Sequence, residues 1–202
     1  IKDLNFKINK NDLIGIYGKS GSGKSTFVNL LTRLIKPSSG QIFIDDVEIE
    51  NLNDARKYQN FFNITSQDTF LLNGTIKDNI VFGSQSKIST KTLDDAIKFA
   101  RLEEMLAELP NGIETDTGLT FKKLSSGQKQ RITIARSIYL DREILIFDEA
   151  TNALDEENEK IIIENICKLK LKKTIIIISH NLENLSKCDV IYSLKKGKLI
   201  KN

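Results

Sequence analysis

The chain has 202 residues, room for one well-filled core or a core with a small appended block. Its 40% hydrophobic and 28% charged residues are those of a soluble globular domain, and a formal charge of +3 on scattered lysines gives no footprint for nucleic acid. No apolar run is long enough to span a bilayer, no signal peptide is legible, and Cys167 and Cys188 lack metal-ligand spacing, so they read as free thiols of a reducing compartment.

In chain order, Leu4 to Ile8 alternates and predicts an edge-type strand, and Asn11-Asp12 predicts a turn. Leu13–Tyr17 is a short apolar run suited to a buried strand. Gly18 to Thr26 follows it and fits G-x-x-x-x-G-K-[ST]. Phe27, Leu30, Leu31 and Leu34 then repeat at helical spacing, until Lys36-Pro37-Ser38-Ser39-Gly40 breaks the helix. Ile42, Ile44, Val47 and Ile49 alternate around Asp45-Asp46, a hairpin pattern. Phe61 to Thr65 predicts a strand that delivers Gln67 just past its end.

From about Thr75 to Leu109 the pattern turns helical, with faces at Ile76/Ile80/Val81, Leu93/Ala96/Ile97/Ala100 and Leu102/Met105/Leu106/Leu109; Met105 and these leucines read as core. Pro110-Asn111-Gly112 closes this block, and a further helix carries Ile132, Ala135, Ile138 and Tyr139. Ile144 to Phe147 is a buried strand ending in Asp148-Glu149, Ile161, Ile162 and Ile166 mark a helix, and Thr174 to Ser179 is a central parallel strand followed by His180. Val190 to Leu194 is the last long strand, and Gly197 turns the chain into Leu199-Ile200. The expected fold is α/β: a mostly parallel sheet core with an antiparallel β part near the N-terminus and an inserted helical subdomain. The expected division is 1–74 with 141–202 for the core and about 75–140 for the helical part.

The chemistry collects at strand ends. The glycines at positions 18, 21 and 23 let the backbone curl so that its N–H groups converge on phosphate oxygens, with Ser20, Ser22 and Thr26 in the same loop. The helix that follows points its positive end at the same place. Lys24 is placed to reach the β- and γ-phosphates, and the Ser25 hydroxyl to hold Mg²⁺. Asp148 is the strand-end carboxylate expected of a Mg²⁺ ligand, and Glu149 is placed to deprotonate an attacking water. His180, the single histidine, follows a buried strand on the sheet edge where a γ-phosphate would lie. Ligands of open α/β sheets bind at that edge.

Leu124-Ser125-Ser126-Gly127-Gln128, on its own a polar loop with Ser125 capping a helix, resembles the signature sequence of ATP-binding cassette ATPases. The resemblance covers almost the whole chain. Gly18–Thr26 is similar to the Walker A motif, Gln67 to the Q-loop, and Ile144–Asp148 with Glu149 to Walker B and its catalytic glutamate. Ala150–Asp155 is similar to the D-loop, and His180 falls at the switch histidine. Gly74–Gly83 and Leu109–Gly112 resemble the exporter-type subgroup, in which the cassette follows membrane helices in one chain. A start at Ile1 agrees with a domain cut from such a protein, with its transmembrane part upstream.

This resemblance implies an ATP-hydrolysing motor domain at the cytoplasmic face of a membrane. ATP and Mg²⁺ are its cofactors, and Gln67 joins Ser25 and Asp148 as a metal ligand. It implies a second cassette packed head to tail, whose Ser125, Ser126, Gly127, Gln128 and Asp155 complete the pocket formed by the first. The cargo is set by membrane helices. The chain departs from the family pattern at several points. Ser126 stands for a glycine and costs about 1 kcal/mol if that position needs positive φ. Asn152 stands for the D-loop serine, Asp46 for a hairpin glycine, and Leu119 and Phe121 for a Glu and a Gly before the signature. The adenine-stacking aromatic is expected upstream of Ile1. Two other readings remain open: a soluble cassette acting on DNA or ribosomes, and an ATP switch that does not hydrolyse. The compact helical block, where DNA-type members carry a long coiled coil, weighs against the former, and Glu149 with His180 against the latter.

Overall fold

The computed structural model describes residues 1–51, 55–84, 89–120 and 124–202. A six-stranded sheet forms its centre, in the order β4-β5-β6-β1-β7-β8, with a separate two-stranded sheet of β2 and β3. The strands are β1 (Leu13–Tyr17), β2 (Phe43–Ile44), β3 (Val47–Glu48), β4 (Phe62–Ser66), β5 (Ile144–Asp148), β6 (Thr174–Ser179), β7 (Val190–Lys195) and β8 (Lys198–Lys201). β4, β5, β6, β1 and β7 run parallel, and only the β7–β8 hairpin is antiparallel within the large sheet.

Parallel strands are covered on both faces, so they read as continuous apolar runs. β6 obeys this rule with every residue buried. Its side chains alternate: Ile175 and Ile177 face one core, Ile176 and Ile178 the other. Helix α1 (Lys24–Leu31) fills the second core with Phe27 and Val28. The first, larger core takes Ile162, Ile163 and Ile166 of α8 (Glu156–Lys168) and Ile132, Ile134, Ala135 and Tyr139 of α7 (Ser126–Leu140). Ile76 and Ile80 of α3 (Ile76–Val81), Leu93 and Ala96 of α4 (Thr90–Phe99), and Met105 of α5 (Glu103–Glu108) join the same core, and the short α2 (Ala55–Gln59) and α6 (Thr117–Thr120) complete the α-helices among the described residues. The helices foreseen from periodicity are therefore present, and their apolar faces are buried as expected.

Two expectations need correction. Residues 4–8 form no strand: among the described residues, no backbone hydrogen bond ties them into either sheet. The alternation instead reflects packing, with the Phe6 ring edge-on to Phe27 at 5.4 Å and to Tyr192 at 5.0 Å. An alternating pattern needs a face to cover, and a neighbouring strand is only one way to supply it. Leu34 lies beyond α1 and is 60% exposed, because Arg33 takes a left-handed φ of 56° and turns the chain away. At the β2–β3 turn both Asp45 (φ 46°) and Asp46 (φ 65°) are left-handed, as a type I′ hairpin requires, so the absent glycine is tolerated by an aspartate.

Asn79, on α3, had no signal in the apolar pattern, yet it is the polar hub of the helical block. It is fully buried; its Oδ1 accepts from the Leu72 N–H at 2.8 Å, and its Nδ2 donates to the carbonyls of Leu72 and Thr75, each at 3.0 Å. Arg136 of α7 donates to its backbone carbonyl at 2.6 Å and to Oδ1 at 3.1 Å. Asn79→Leu fills the same space but leaves these groups unpaired, so it is expected to cost about 2–4 kcal/mol of stability, measured by urea unfolding. A loss below about 0.5 kcal/mol, the range of inert surface changes, would contradict that role.

Candidate functional site

The C-terminal ends of β1, β4, β5 and β6 lie side by side on one sheet edge, and each carries a polar group that the sequence singled out. After β1 the chain forms the phosphate loop. Gly21 (φ 74°) and Gly23 (φ 107°) occupy backbone conformations that side chains rarely adopt. A Cβ at Gly18 would stand 2.6 Å from Ser22 Oγ, so the loop closes only with glycine there. Ser22 Oγ is buried with no hydrogen-bond partner among the described residues, an orphan that an anion in the loop would satisfy. The open first turn of α1 directs further N–H groups to the same point.

Lys24 is the centre of this edge. Its Nζ donates to the Gly18 carbonyl at 2.8 Å and the Lys19 carbonyl at 3.2 Å, and pairs with Glu149 Oε1 at 2.9 Å. Both side chains of the pair are largely withdrawn from water, at 9% and 15% exposure. Glu149 follows β5 with a left-handed φ of 51°, and its N–H is held by the Ile178 carbonyl at 2.9 Å. Its other oxygen, Oε2, accepts from Asn152 Nδ2 at 2.6 Å and lies 3.4 Å from His180 Nδ1. Burial alone would raise the Glu149 pKa, but the Lys24 hydrogen bond and charge outweigh it. With Asn152 and His180 adding to them, the carboxyl sits below its ordinary range. Asp148 moves the other way: burial and then the charge of Glu149 raise its pKa, with Lys24 only partly offsetting them.

A cleft of about 640 Å³ opens over these groups. Lys24, Ser25, Gln67, Asp148 and Glu149 line it together, and Ser20, Gly21, Gly23 and Thr26 form its phosphate-loop wall. The donor set facing it, a serine hydroxyl, a side-chain amide and a carboxylate, suits a hard cation. A cation there would also favour the ionised form of Asp148, which burial and a neighbouring negative charge disfavour.

The residues Ser125, Ser126, Gly127 and Gln128 do not line this cleft. They open α7, where Ser125 and Gln128 form a reciprocal cap: Gln128 N–H donates to Ser125 Oγ at 3.1 Å and Ser125 N–H to Gln128 Oε1 at 2.8 Å. Ser126 is the first helical residue and is absent from the left-handed set, so the strain foreseen for it does not arise. Gly127 is needed for a different reason: a Cβ there would meet the Ala153 carbonyl at 2.8 Å. Asp155 uses both carboxylate oxygens within α8, accepting from Asn158 N–H at 2.9 Å and Asn158 Nδ2 at 2.6 Å. Phe121 and the side chain of Leu119 lie outside the described residues.

Gln130 was missed by sequence reasoning. It is fully buried on α7, accepts from Ala153 N–H at 2.9 Å and donates to the Glu149 carbonyl at 3.4 Å. A signal existed: Gln130 and Thr133 share a helical face with Ile134, and a polar side chain on an apolar stripe calls for a partner, which the Thr133 hydroxyl finds in the Gln130 carbonyl at 2.8 Å.

The two carboxyls have opposite linkage to stability. The lowered Glu149 pKa contributes stability at neutral pH that is lost as the pH falls through its folded value. The raised Asp148 pKa means that the folded state holds its proton longer than the unfolded chain does. Its cost is absent in acid and fully present once the pH exceeds the folded value. Asp148→Asn is therefore expected to raise Tm by roughly 2–4 °C at pH 7.5 in a metal chelator, with the gain vanishing near pH 3. An unchanged or lower Tm at pH 7.5 would contradict this account.

Residues 1–152 match the family model described as ABC transporter. Over 202 residues the chain is 37% identical to an ATP-dependent lipid A-core flippase of Pseudoalteromonas atlantica, covering 99% of this chain and 34% of that protein. It is 38% identical to the ABC-type transporter fsqE of Aspergillus fumigatus, covering 99% of this chain and 16% of the relative. Among solved structures, a bacterial Atm1-family ABC exporter with ATP bound superposes with a TM-score of 0.88 at 36% identity, over 96% of this chain and 34% of that one. The chain thus spans about a third or less of the length of these proteins. A phosphate loop and a carboxylate converging on one lysine, in a sheet of this order, and a match over three-quarters of the sequence lead to one assignment: the chain belongs to the ABC transporter family.

Proposed function

We propose that this chain is the ATP-binding and ATP-hydrolysing motor domain of an exporter-type transporter, a single cassette of α/β core and helical subdomain. The observation that carries this reading is the meeting of Lys24 and Glu149 across the floor of the cleft. Lys24 binds the β- and γ-phosphates, and the loop residues Gly18 to Thr26 enclose them. Ser25, Gln67 and Asp148 would hold Mg²⁺, which when bound neutralises charge on the phosphates. Glu149 takes the proton of the attacking water, and His180, 3.4 Å from its carboxylate, keeps that carboxylate and the γ-phosphate in line.

The pocket is completed by a second cassette whose Ser125 and Gly127, at the open end of α7, face the nucleotide from across the interface. Closure with ATP and opening after hydrolysis then move a transmembrane partner between two states. Among the described residues no helix is long and apolar enough to cross a membrane; in this reading the spans are those of the transmembrane partner. The exposed Leu34, Phe70 and Phe82 rim a groove of about 460 Å³ beside the cleft and offer that partner an apolar seat on the cytoplasmic side.

Glu149→Gln is expected to lower phosphate release from ATP by at least about 100-fold at high protein concentration while nucleotide binding persists. A wild-type rate in that variant would end the hydrolysis reading. Mixing Lys24→Ala with Ser125→Ala chains, each inactive alone, is expected to restore roughly a quarter of the wild-type rate, because half the dimers are mixed and each holds one intact pocket. Continued inactivity of the mixture would rule out a pocket shared between two copies.

A further inference from the structure

Asn152, which stands for the D-loop serine, lies in the turn that follows Glu149, and its side chain turns back to that residue. Its backbone N–H points to the Glu149 carbonyl at 3.4 Å, and its Nδ2 donates to Glu149 Oε2 at 2.6 Å. The residue is solvent-exposed, so water was available to its amide, and the carboxylate is taken instead.

The turn that delivers this amide is pinned from behind. Gln130 holds Ala153 N–H at one end and the Glu149 carbonyl at the other. Gly127 brings α7 so close to the Ala153 carbonyl that no side chain would fit between them. The left-handed φ of Glu149 starts the turn. Asn152 therefore reaches the carboxylate from a backbone with little freedom to drift.

The two oxygens of Glu149 are held by different groups. Lys24 takes Oε1, while Asn152 takes Oε2, with His180 Nδ1 at 3.4 Å from the same atom. Two of the Lys24 ammonium protons are already committed to the Gly18 and Lys19 carbonyls. A phosphate at the loop must therefore draw the Lys24 ammonium away from Glu149. From that moment Asn152 and His180 are the groups still touching the carboxylate. His180 is 58% exposed and sits at the longer distance, so Asn152 is the firmer hold.

We infer that Asn152 is a positioning residue for Glu149, its side-chain N–H keeping the carboxylate aimed into the cleft after Lys24 turns to phosphate. The inference rests on the reading of Glu149 as the residue that activates water. It assigns Asn152 a task inside its own cassette.

The test compares steady-state phosphate release, the KM for ATP and thermal unfolding for wild type, Asn152→Ala, Asn152→Asp and Glu149→Gln. Asn152→Asp keeps the shape, removes the donor and sets a second carboxylate against Glu149, whereas Asn152→Ala removes the donor alone. Both Asn152 variants are expected to lose about 10-fold in kcat, the scale of one hydrogen bond to a charged group, with KM within about twofold of wild type and Tm unchanged. If Asn152→Asp turns over like wild type, the N–H has no role and the inference is overturned. If Asn152→Ala raises KM and leaves kcat intact, Asn152 acts on nucleotide binding, and the inference is again overturned. Should Asn152→Ala unfold, Asn152→Asp decides alone. A wild-type rate in Glu149→Gln sinks the underlying reading together with the inference. An inactive Glu149→Gln beside fully active Asn152 variants sinks the inference only.

Discussion

The buried ammonium of Lys24 is the interaction on which the rest of the site depends. It comes from the loop after β1, and its carboxylate partner from the end of β5, with β6 lying between those strands in the sheet. The pair therefore spans a strand and fixes the separation of the two loops that form the cleft floor. Taking both charges out of water is expensive, and the carbonyls of Gly18 and Lys19 with the amide of Asn152 satisfy what remains of their hydrogen-bonding capacity. In the proposed reading, phosphate binding at Lys24 would be an exchange of one anion for another. The cation is already desolvated before nucleotide arrives, so much of the cost of presenting it has been met by folding.

The sheet explains why these groups meet at all. Five parallel strands place their C-terminal ends on one edge, and a strand end is rigid where the loop after it is free to carry chemistry. The phosphate loop, Gln67, Asp148 with Glu149, and His180 each leave from a different one of four adjacent strands. The unequal treatment of the neighbouring carboxyls follows from the same geometry. Glu149 turns to Lys24, while Asp148 is half-buried in the cleft wall next to a negative charge. One is held ionised by its partners, and the other is disfavoured as an anion by its surroundings.

Much of this was legible in the sequence because it rests on short-range rules. Apolar runs such as Ile144–Phe147 and Thr174–Ser179 mark buried strands, glycine spacing marks the phosphate loop, and the residue after each run inherits the sheet edge. What was not legible depends on partners distant in the chain. Asn79 meets Thr117 and Arg136, and Gln130 meets Glu149 and Ala153, contacts for which a single polar letter in a helical stripe gives no direction. The stretch Leu4 to Ile8 misled for the converse reason: alternation reports which side chains are covered, and Phe6 is covered by rings of α1 and β7 without any ladder of backbone bonds. Ser126 escaped strain because the backbone there is already helical, a property of the local turn that residue type does not reveal.

The cap at the start of α7 has a consequence for the hydroxyl of Ser125. Its oxygen receives the Gln128 backbone N–H, which orients the group, and among the described residues its own hydrogen has no acceptor. A serine so arranged can stabilise its own helix and donate outward in one rotamer. In the shared pocket proposed above, a contact from this hydroxyl to an oxygen of the nucleotide would demand no fresh ordering of the side chain, and the helix would lose none of its terminus in the handshake.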